Sequence, residues 1–421
     1  MSAPGTSPFR RAARAAFSPA GLIVTAFLLR LAFILQMGNR FYFADTAEYE
    51  AAAMNLLHGH LPGGNSPRAP LFPLLMAIGF TLGGLKNYTM CRLLQLVLGT
   101  ALVVTTGRIA RRLGGAGAER LALLGAAWAP TLVFTTGMLY PTTLYAILLT
   151  GIVAIALQLA EEPTLARGAL LGVLIPLGWV TDQVIVAPLA VVLAWLLTQR
   201  ARAVAGSARA LLIAGIVAIS LITPYLIVQR EAYGHKAVFM QKAQFVLYWS
   251  RSDHAMDADR RVHVPADSTW KPLPTKAFLA QEWHLIKAQP ADYAHDVMWE
   301  FLHFFKPMPD RVQTHNRYNQ SSILLLGAIY FLPVLLFSLV GALAGNGRRR
   351  ARVLLVLVVL ATAGFYSLFF TQTRYRIPIE PLMIVLAALG LQRLFPRLSG
   401  ILAGTTPGSP DPVAGPAEGR R

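Results

Sequence analysis

The chain has 421 residues, 55% of them hydrophobic and only 14% charged, which excludes an ordinary soluble domain, where about a quarter would be charged. Its net charge of +18 is confined to clusters flanking apolar runs, so it marks membrane topology and no nucleic-acid partner is expected. A single cysteine, Cys91, excludes an intrachain disulfide and a thiolate metal cage.

The first apolar run, 21–38, follows Arg10, Arg11 and Arg14 and lacks a small-residue cleavage site. It reads as a retained span that starts inside. Residues 39–70 then lie outside. Within them, 46–57 carries Tyr49, Ala52, Ala53, Leu56 and Leu57 at helical spacing, predicting an amphipathic helix along the membrane surface. Residues 71–85 are apolar but short of the roughly 18 residues a crossing needs. Counting them as a span would turn Arg108, Arg111, Arg112 and Arg120 outward, against the charge bias of loops. A re-entrant or interfacial hairpin is therefore expected there.

The second span is 90–106. The others follow as 119–137, 142–160, 166–181, 183–199, 210–228, 321–344, 351–371 and 377–395. These ten crossings put both termini on one side, together with Arg200, Arg202, Arg209, Arg348, Arg349, Arg350 and Arg352. The chain thus divides into a cytoplasmic N-terminus (1–19), a membrane module (20–228) with an outer loop at 39–85, a large extracytoplasmic segment (229–320), the last spans (321–396) and a tail (397–421). The tail is expected to be disordered from its Pro, Gly and Ala content. The outer segment holds twelve Lys or Arg and ten Asp or Glu, interleaved with aromatics such as Tyr248, Trp249, Trp283 and Trp299. It is expected to form a few short helices over the outer face.

Chemistry points to Phe43-Ala44-Asp45-Thr46-Ala47-Glu48-Tyr49-Glu50, which sets three carboxylates just past span one. Elsewhere the spans almost exclude acids, since a bare charge in hydrocarbon costs about 3 kcal/mol or more. Two readings of Asp45 stand level. It is a base beside an acceptor hydroxyl, or it caps the helix that follows. Arg30, inside span one, is expected to pair internally or to snorkel. His58-Gly-His60 reads as a polar helix end. The nine histidines include no His-Glu-x-x-His, and no glycine-rich nucleotide loop is present. No cofactor is called for, with a divalent cation the one addition left open.

Three segments carry a resemblance: Asp45-Thr-Ala-Glu-Tyr49, Ala53-Met-Asn55-Leu-Leu-His-Gly59 and Arg68-Ala-Pro70-Leu-Phe-Pro73. Together they look like the first outer loop of the dolichyl-phosphate-mannose–protein mannosyltransferase-like (ArnT-like) family. Arg92-Leu-Leu-Gln95, Ala110-Arg-Arg-Leu-Gly114 and Arg374-Tyr-Arg-Ile-Pro-Ile-Glu-Pro381 continue the pattern, so that it runs from span one to span ten.

The resemblance implies an all-α polytopic GT-C fold with about ten transmembrane helices and interfacial helices in the first outer loop. It implies a bacterial inner-membrane glycosyltransferase with its site facing the periplasm. The partners would be a polyprenyl-phosphate sugar donor, a lipid or glycan acceptor and membrane lipids. Asp45 would be the catalytic carboxylate. Glu48, Tyr49, Arg68, Arg92, Arg374, Tyr375 and Arg376 would bind substrate, with Arg374 and Arg376 on the donor phosphate. Three departures stand out. Thr46 replaces a second acid, Tyr140-Pro-Thr-Thr-Leu144 replaces a Ser-Glu-x-Leu segment, and Thr181-Asp-Gln183 replaces Thr-Arg-Pro. The competing class is a transporter or flippase of a lipid-linked or anionic solute, which also needs arginines at membrane depth.

Overall fold

Apolar runs of this length fold as helices because hydrocarbon offers backbone N–H and C=O groups no partner but each other. The computed structural model describes residues 15–40, 42–43, 45–60, 68–200, 204–233, 244, 246–248, 251, 261, 271, 273–310, 321–345 and 348–403. Among them all regular structure is helical. The N-terminal part begins with α1 (Pro19–Met37), α2 (Thr46–Leu57), α3 (Leu71–Gly83), α4 (Tyr88–Trp128) and α5 (Pro130–Gly137). Next come α6 (Thr142–Glu161), α7 (Leu165–Trp179), a 3-10 turn (Gln183–Ile185) leading into α8 (Val186–Arg200), and α9 (Val204–Tyr233). The outer segment contributes α10 (Thr275–Ala288) and α11 (Pro290–Phe304), the short helices expected there. The chain ends with α12 (Ser321–Ala344), α13 (Arg349–Ser367), α14 (Thr373–Arg376), a 3-10 turn (Ile377–Ile379), α15 (Glu380–Leu394) and α16 (Pro396–Ala403).

Among the described residues seven helices are long and apolar enough to cross a membrane by length and composition. One of them, α4, is two. Gly115 sits at φ +75°, where only glycine is unstrained, and the chain reverses on it. Gly107 consequently packs on Leu123, and Arg111 meets Glu119 at 3.1 Å across the hairpin. With the shorter apolar helices Leu165–Trp179 and Gln183–Gln199, these elements match the expected crossings one for one. Two details differ. The loop expected between 106 and 119 shrinks to one glycine, with helix running up to it on both sides. The expected span 119–137 breaks at Ala129, because Pro130 starts a new helix and has no N–H to continue the old one.

α3 is a single helix of 13 residues. At 1.5 Å per residue it is about 20 Å long, too short for about 30 Å of hydrocarbon. It turns back through Gly84 and Lys86 into α4, with Gly79 lying on Cys91. The apolar face of α2 meets protein: Tyr49, Ala52 and Ala53 are buried, as is Thr46, while Leu57 is exposed. The 397–403 stretch, expected to be disordered, is helical, and Ser399 packs against Gly117 of the hairpin. Residues 1–14 and 404–421, Trp249 and much of the outer segment lie outside the described residues.

Close packing is set by small residues, as it must be where lipid is as apolar as a neighbouring helix. α12 crosses α15 with Gly341 against the Leu386 carbonyl and Gly390 against the Phe337 carbonyl. Gly168 and Gly172 bring α7 equally close to α9. The basic clusters gather at one end, where Arg112 and Arg348 share Glu161, and Arg167 pairs with Glu162. At the other end Arg92 joins Gly38 to Gly137, Asp45 meets Arg68 and Arg374, Leu71 meets Val180, and Thr371 meets Glu300 of α11.

Replacing Gly341 by alanine puts a Cβ into a backbone carbonyl that cannot swing aside. It should cost about 1–3 kcal/mol, read as a lowered unfolding midpoint in detergent. Gly364→Ala, with nothing within 4 Å of its Cβ, should leave the midpoint unchanged or higher.

Candidate functional site

The site is built on the turn that leaves α1. Gly38 ends the helix at φ +65°, and its carbonyl would be stranded at membrane depth. Arg92, fully buried on α4, satisfies it. Its Nη1 donates to Gly38 O at 2.7 Å, its Nε to Gly137 O at 2.7 Å, and its Nη2 to Arg40 O. One guanidinium thus ties the ends of α1 and α5 together. Gln95, one turn on, donates to Met138 O. Arg30 does the same work deeper in the bundle, donating to Ala126 O and Ala127 O beside the Ala129 break.

Fixed in this way, the chain enters α2 at Asp45. The capping role does not hold, because the Asp45 side chain makes no cap hydrogen bond and its backbone is already helical. The carboxylate faces two arginines, Arg374 Nη1 at 3.4 Å from Oδ2 and Arg68 Nη2 at 3.8 Å from Oδ1. Glu48, one turn along α2, holds Arg68 by its Nε at 2.8 Å. Both guanidinium groups rest on aromatic faces. Arg68 Cζ lies 4.8 Å over the Tyr49 ring, and Arg374 Cζ lies 5.6 Å over Tyr140 and 5.3 Å over Tyr375. Tyr49 and Tyr140 meet edge to face at 5.8 Å and form a common floor with Phe72 and Phe43. Among the described residues the Arg374 Nε has no hydrogen-bond partner, so this arginine has a donor to spare.

Burial pushes the Tyr49 phenol up to about 12, with Asp182 and Asp45 adding to the shift and Arg68 and Arg374 opposing it. It is a neutral hydroxyl at physiological pH and does not serve as a base. Burial and the Asp45 charge raise Tyr140 in the same way. The structure therefore brings Asp45, Glu48, Tyr49, Arg68 and Arg374 together. Tyr375 lies behind Arg374, stacked on Tyr366 at 4.6 Å. Arg92 and Arg376 are elsewhere. Arg92 caps helix ends as described. Arg376 is fully buried over the Phe331 ring, with Nε 3.2 Å from Glu380 Oε1 and Nη1 2.6 Å from Lys306 O.

Magnitudes separate the two kinds of arginine. The Asp45–Arg374 pair is 34% and 37% exposed, so each contact is worth about 1 kcal/mol or less and exchanges readily. The Arg376–Glu380 pair is 1% exposed on both sides, and parting it would strand a charge at a cost of about 3–5 kcal/mol. Arg374 is available to a ligand and Arg376 is not.

Three groups were missed in the sequence. Tyr140 lies in a short outer turn that carries no charge to draw notice. Asp182 exerts its field on Tyr49 from the turn after α7, whose Val180 carbonyl accepts from Leu71 N at 3.1 Å. The third is a grip on the strand before Arg374. Glu300 accepts from Thr371 N at 2.8 Å, and Asp310 accepts from Thr373 N at 2.6 Å. No sequence signal joins positions some seventy residues apart.

No group of three or more His, Cys, Asp or Glu among the described residues is placed to hold a metal. Asp45 and Glu48 face guanidinium groups, so this donor set does not suit a divalent cation.

No protein-family description matches the sequence, and no curated protein does. Solved structures match throughout. The fold is similar to that of ArnT from Cupriavidus metallidurans bound to undecaprenyl phosphate, with a TM-score of 0.57 at 18% identity over 90% of this chain and 61% of that one. It is also similar to the oligosaccharyltransferase AglB from Archaeoglobus fulgidus in complex with an inhibitory peptide and a dolichol-phosphate. There the TM-score is 0.55 at 14% identity, over 93% of this chain and 51% of that one. The chain thus spans about three-fifths of the first structure and half of the second. At these identities the likeness is one of fold, the polytopic GT-C architecture that the motifs implied.

Arg92→Lys should lower the unfolding midpoint by the equivalent of about 2 kcal/mol or more, because a point ammonium does not replace a fork that reaches three carbonyls. A variant as stable as wild type would remove Arg92 from the scaffold. Asp310 yields a pH test. Burial alone would raise its carboxyl, but hydrogen bonds from His303 and Thr373 outweigh burial and hold it well below the usual carboxylate range. A carboxyl depressed by folding stabilises above its unfolded value, about 3.9, and that contribution is lost as pH falls toward the folded value. The midpoint gap between wild type and Asp310→Asn should shrink as pH falls from about 5 through about 4. A gap that widens in acid contradicts it.

Proposed function

We propose that the chain is an inverting glycosyltransferase. It takes a sugar from a polyprenyl-phosphate-linked donor, undecaprenyl-linked in a bacterial inner membrane, and passes it to an extracytoplasmic glycolipid, polysaccharide or protein. One observation carries this reading. Asp45 leaves its helix uncapped and stands between two arginines that it holds only loosely.

The chemistry follows from charge. The donor is a phosphodiester with one negative charge, and the departing polyprenyl phosphate carries up to two. Arg68 and Arg374 therefore bind the leaving group more strongly than the donor, which is the differential that lowers a barrier. The acceptor oxygen forms its bond to the anomeric carbon from the opposite side. The bond from that carbon to the phosphate oxygen breaks, and its electron pair stays on phosphate. The acceptor proton passes to Asp45. As phosphate takes over Arg374 and Arg68, Asp45 loses its counter-ions and becomes a better base. Glu48 keeps Arg68 in place, and Tyr49 and Tyr140 form an uncharged floor.

The sidedness of charge supports a site on the periplasmic face. The site lies at the end away from the arginine clusters, and loop arginines favour the cytoplasm. The opposite end is tied by Arg112 and Arg348 on Glu161, which favours a transferase over a transporter open alternately to both sides.

The test is a reconstituted assay with radiolabelled polyprenyl-phosphate sugars and a membrane lipid extract. Wild type should move label to a new product. Asp45→Asn should lower turnover by about 10²–10⁴-fold without weakening binding of undecaprenyl phosphate, since it removes a competing carboxylate. Arg374→Ala should weaken that binding by about 10–100-fold. No transfer from any donor, with lipid instead crossing the bilayer independently of Asp45, would establish the transporter.

A further inference from the structure

Immediately before Arg374 the chain is held by a distant segment. Residues 370–372 are outside any helix, and Gln372 is extended at φ −133°, ψ 151°. Such a stretch has no hydrogen-bond ladder of its own to fix it. Its amides are taken by carboxylates of the outer segment. Glu300, fully buried on α11, accepts from both the N–H and the hydroxyl of Thr371. Asp310 Oδ2 accepts from Thr373 N at 2.6 Å and from Thr373 Oγ1 at 3.0 Å, and Asp310 N donates back to that hydroxyl at 2.9 Å. Beyond Arg374, the Arg376 guanidinium donates to Lys306 O and Phe304 O of the same segment. Arg374 is thus gripped on both sides by 300–310, while its own side chain points the other way, onto Tyr140 and Asp45.

Asp310 is itself held. His303 Nε2 lies 3.3 Å and Lys306 Nζ 3.4 Å from its Oδ1, leaving Oδ2 to Thr373. Phe304 of this segment packs into the core on Tyr366, whereas the carboxylates of Glu300 and Asp310 bond the chain beside Arg374. What they fix is the backbone that carries Arg374.

We propose that Asp310, with Glu300 and Thr373, positions Arg374 for the donor phosphate, so that the large outer segment is a working part of the donor site. This rests on the donor-phosphate role given above to Arg374. Asp310 touches no substrate. It acts by holding a guanidinium whose displacement by about 1 Å would cost much of its effect.

The experiment measures binding of undecaprenyl phosphate to the full chain in lipid nanodiscs, together with separate KM values for donor and acceptor. Asp310→Ala should weaken lipid-phosphate binding on the order of tenfold and raise the donor KM to match. Acceptor KM should stay within about twofold. Asp310→Asn, which keeps one acceptor for Thr373 N, should fall between it and wild type. Thr373→Ser should behave as wild type, and Thr373→Val, which loses the hydroxyl but keeps its N–H on Asp310, should fall between wild type and Asp310→Ala. The Thr373 pair carries the test if Asp310→Ala does not fold. Wild-type binding in Asp310→Ala and Thr373→Val, with Arg374→Ala impaired, would overturn the positioning role and leave the phosphate site standing. Equal rises in donor and acceptor KM would overturn it too, showing a general structural effect. Undiminished binding in Arg374→Ala would remove the phosphate site itself, and this inference with it.

Discussion

Every interrupted helix in this bundle leaves carbonyls that hydrocarbon does not solvate, and the rest of the structure depends on how they are satisfied. The chain uses arginine. Arg30 takes the carbonyls of Ala126 and Ala127 where the α4 hairpin ends at Ala129. Arg92 takes those of Gly38 and Gly137, at the ends of α1 and α5, and Arg376 takes Lys306 and Phe304 at the end of α11. All three are fully buried. A helix C-terminus carries partial negative charge, so each site offers a cation some compensation for the water it has lost. A guanidinium suits the task because its planar fork reaches several carbonyls from one stem.

That use of arginine explains how a polar site stands at the edge of an apolar bundle. Among its described residues, the turn that delivers Asp45 between Gly38 and α2 is not helical. Arg92 holds it from below, and Tyr42 adds a bond from its hydroxyl to Met37 O at 2.8 Å. On the far wall, the non-helical stretch before Arg374 is held from above by Glu300 and Asp310. Asp45 and Arg374, each at the helical start that follows an irregular stretch, therefore face each other across segments anchored in opposite directions. Irregular backbone is tolerated before each of them because it is satisfied by protein.

Much of the fold was legible in the sequence, because length, hydropathy and loop charge are local properties. The order of crossings and the bounds of α2 follow from them, whereas 71–85, read as a hairpin, is one short helix. The single-glycine turn at Gly115 and the break at Ala129 were less visible. An apolar run reads as continuous, and only the pair Ala129-Pro130 marks the interruption. The arginines were harder still. Arg92 and Arg376 share residue type, depth and side with Arg374, and composition does not distinguish a cap from a binder. One local clue was present for Arg376, since Glu380 lies one helical turn after it, the spacing of an internal pair. For Arg92 the partners are backbone carbonyls, which leave no trace in sequence.

The same contrast bears on what the cluster can do. A fully buried ion pair is committed, because losing either partner strands the other. Asp45, Arg68 and Arg374 are partly open to water, paired at 3.4–3.8 Å, and backed by tyrosine rings that hold the guanidinium groups whichever anion they face. Their mutual attraction is small enough to give way to another anion, yet it keeps a carboxylate and two cations in one place. Arg68 is the better held of the two, since Glu48 stays on its Nε when Asp45 lets go. A cluster built for stability would have been buried or bidentate. This one is neither, and that loose geometry is what the donor site proposed for it requires.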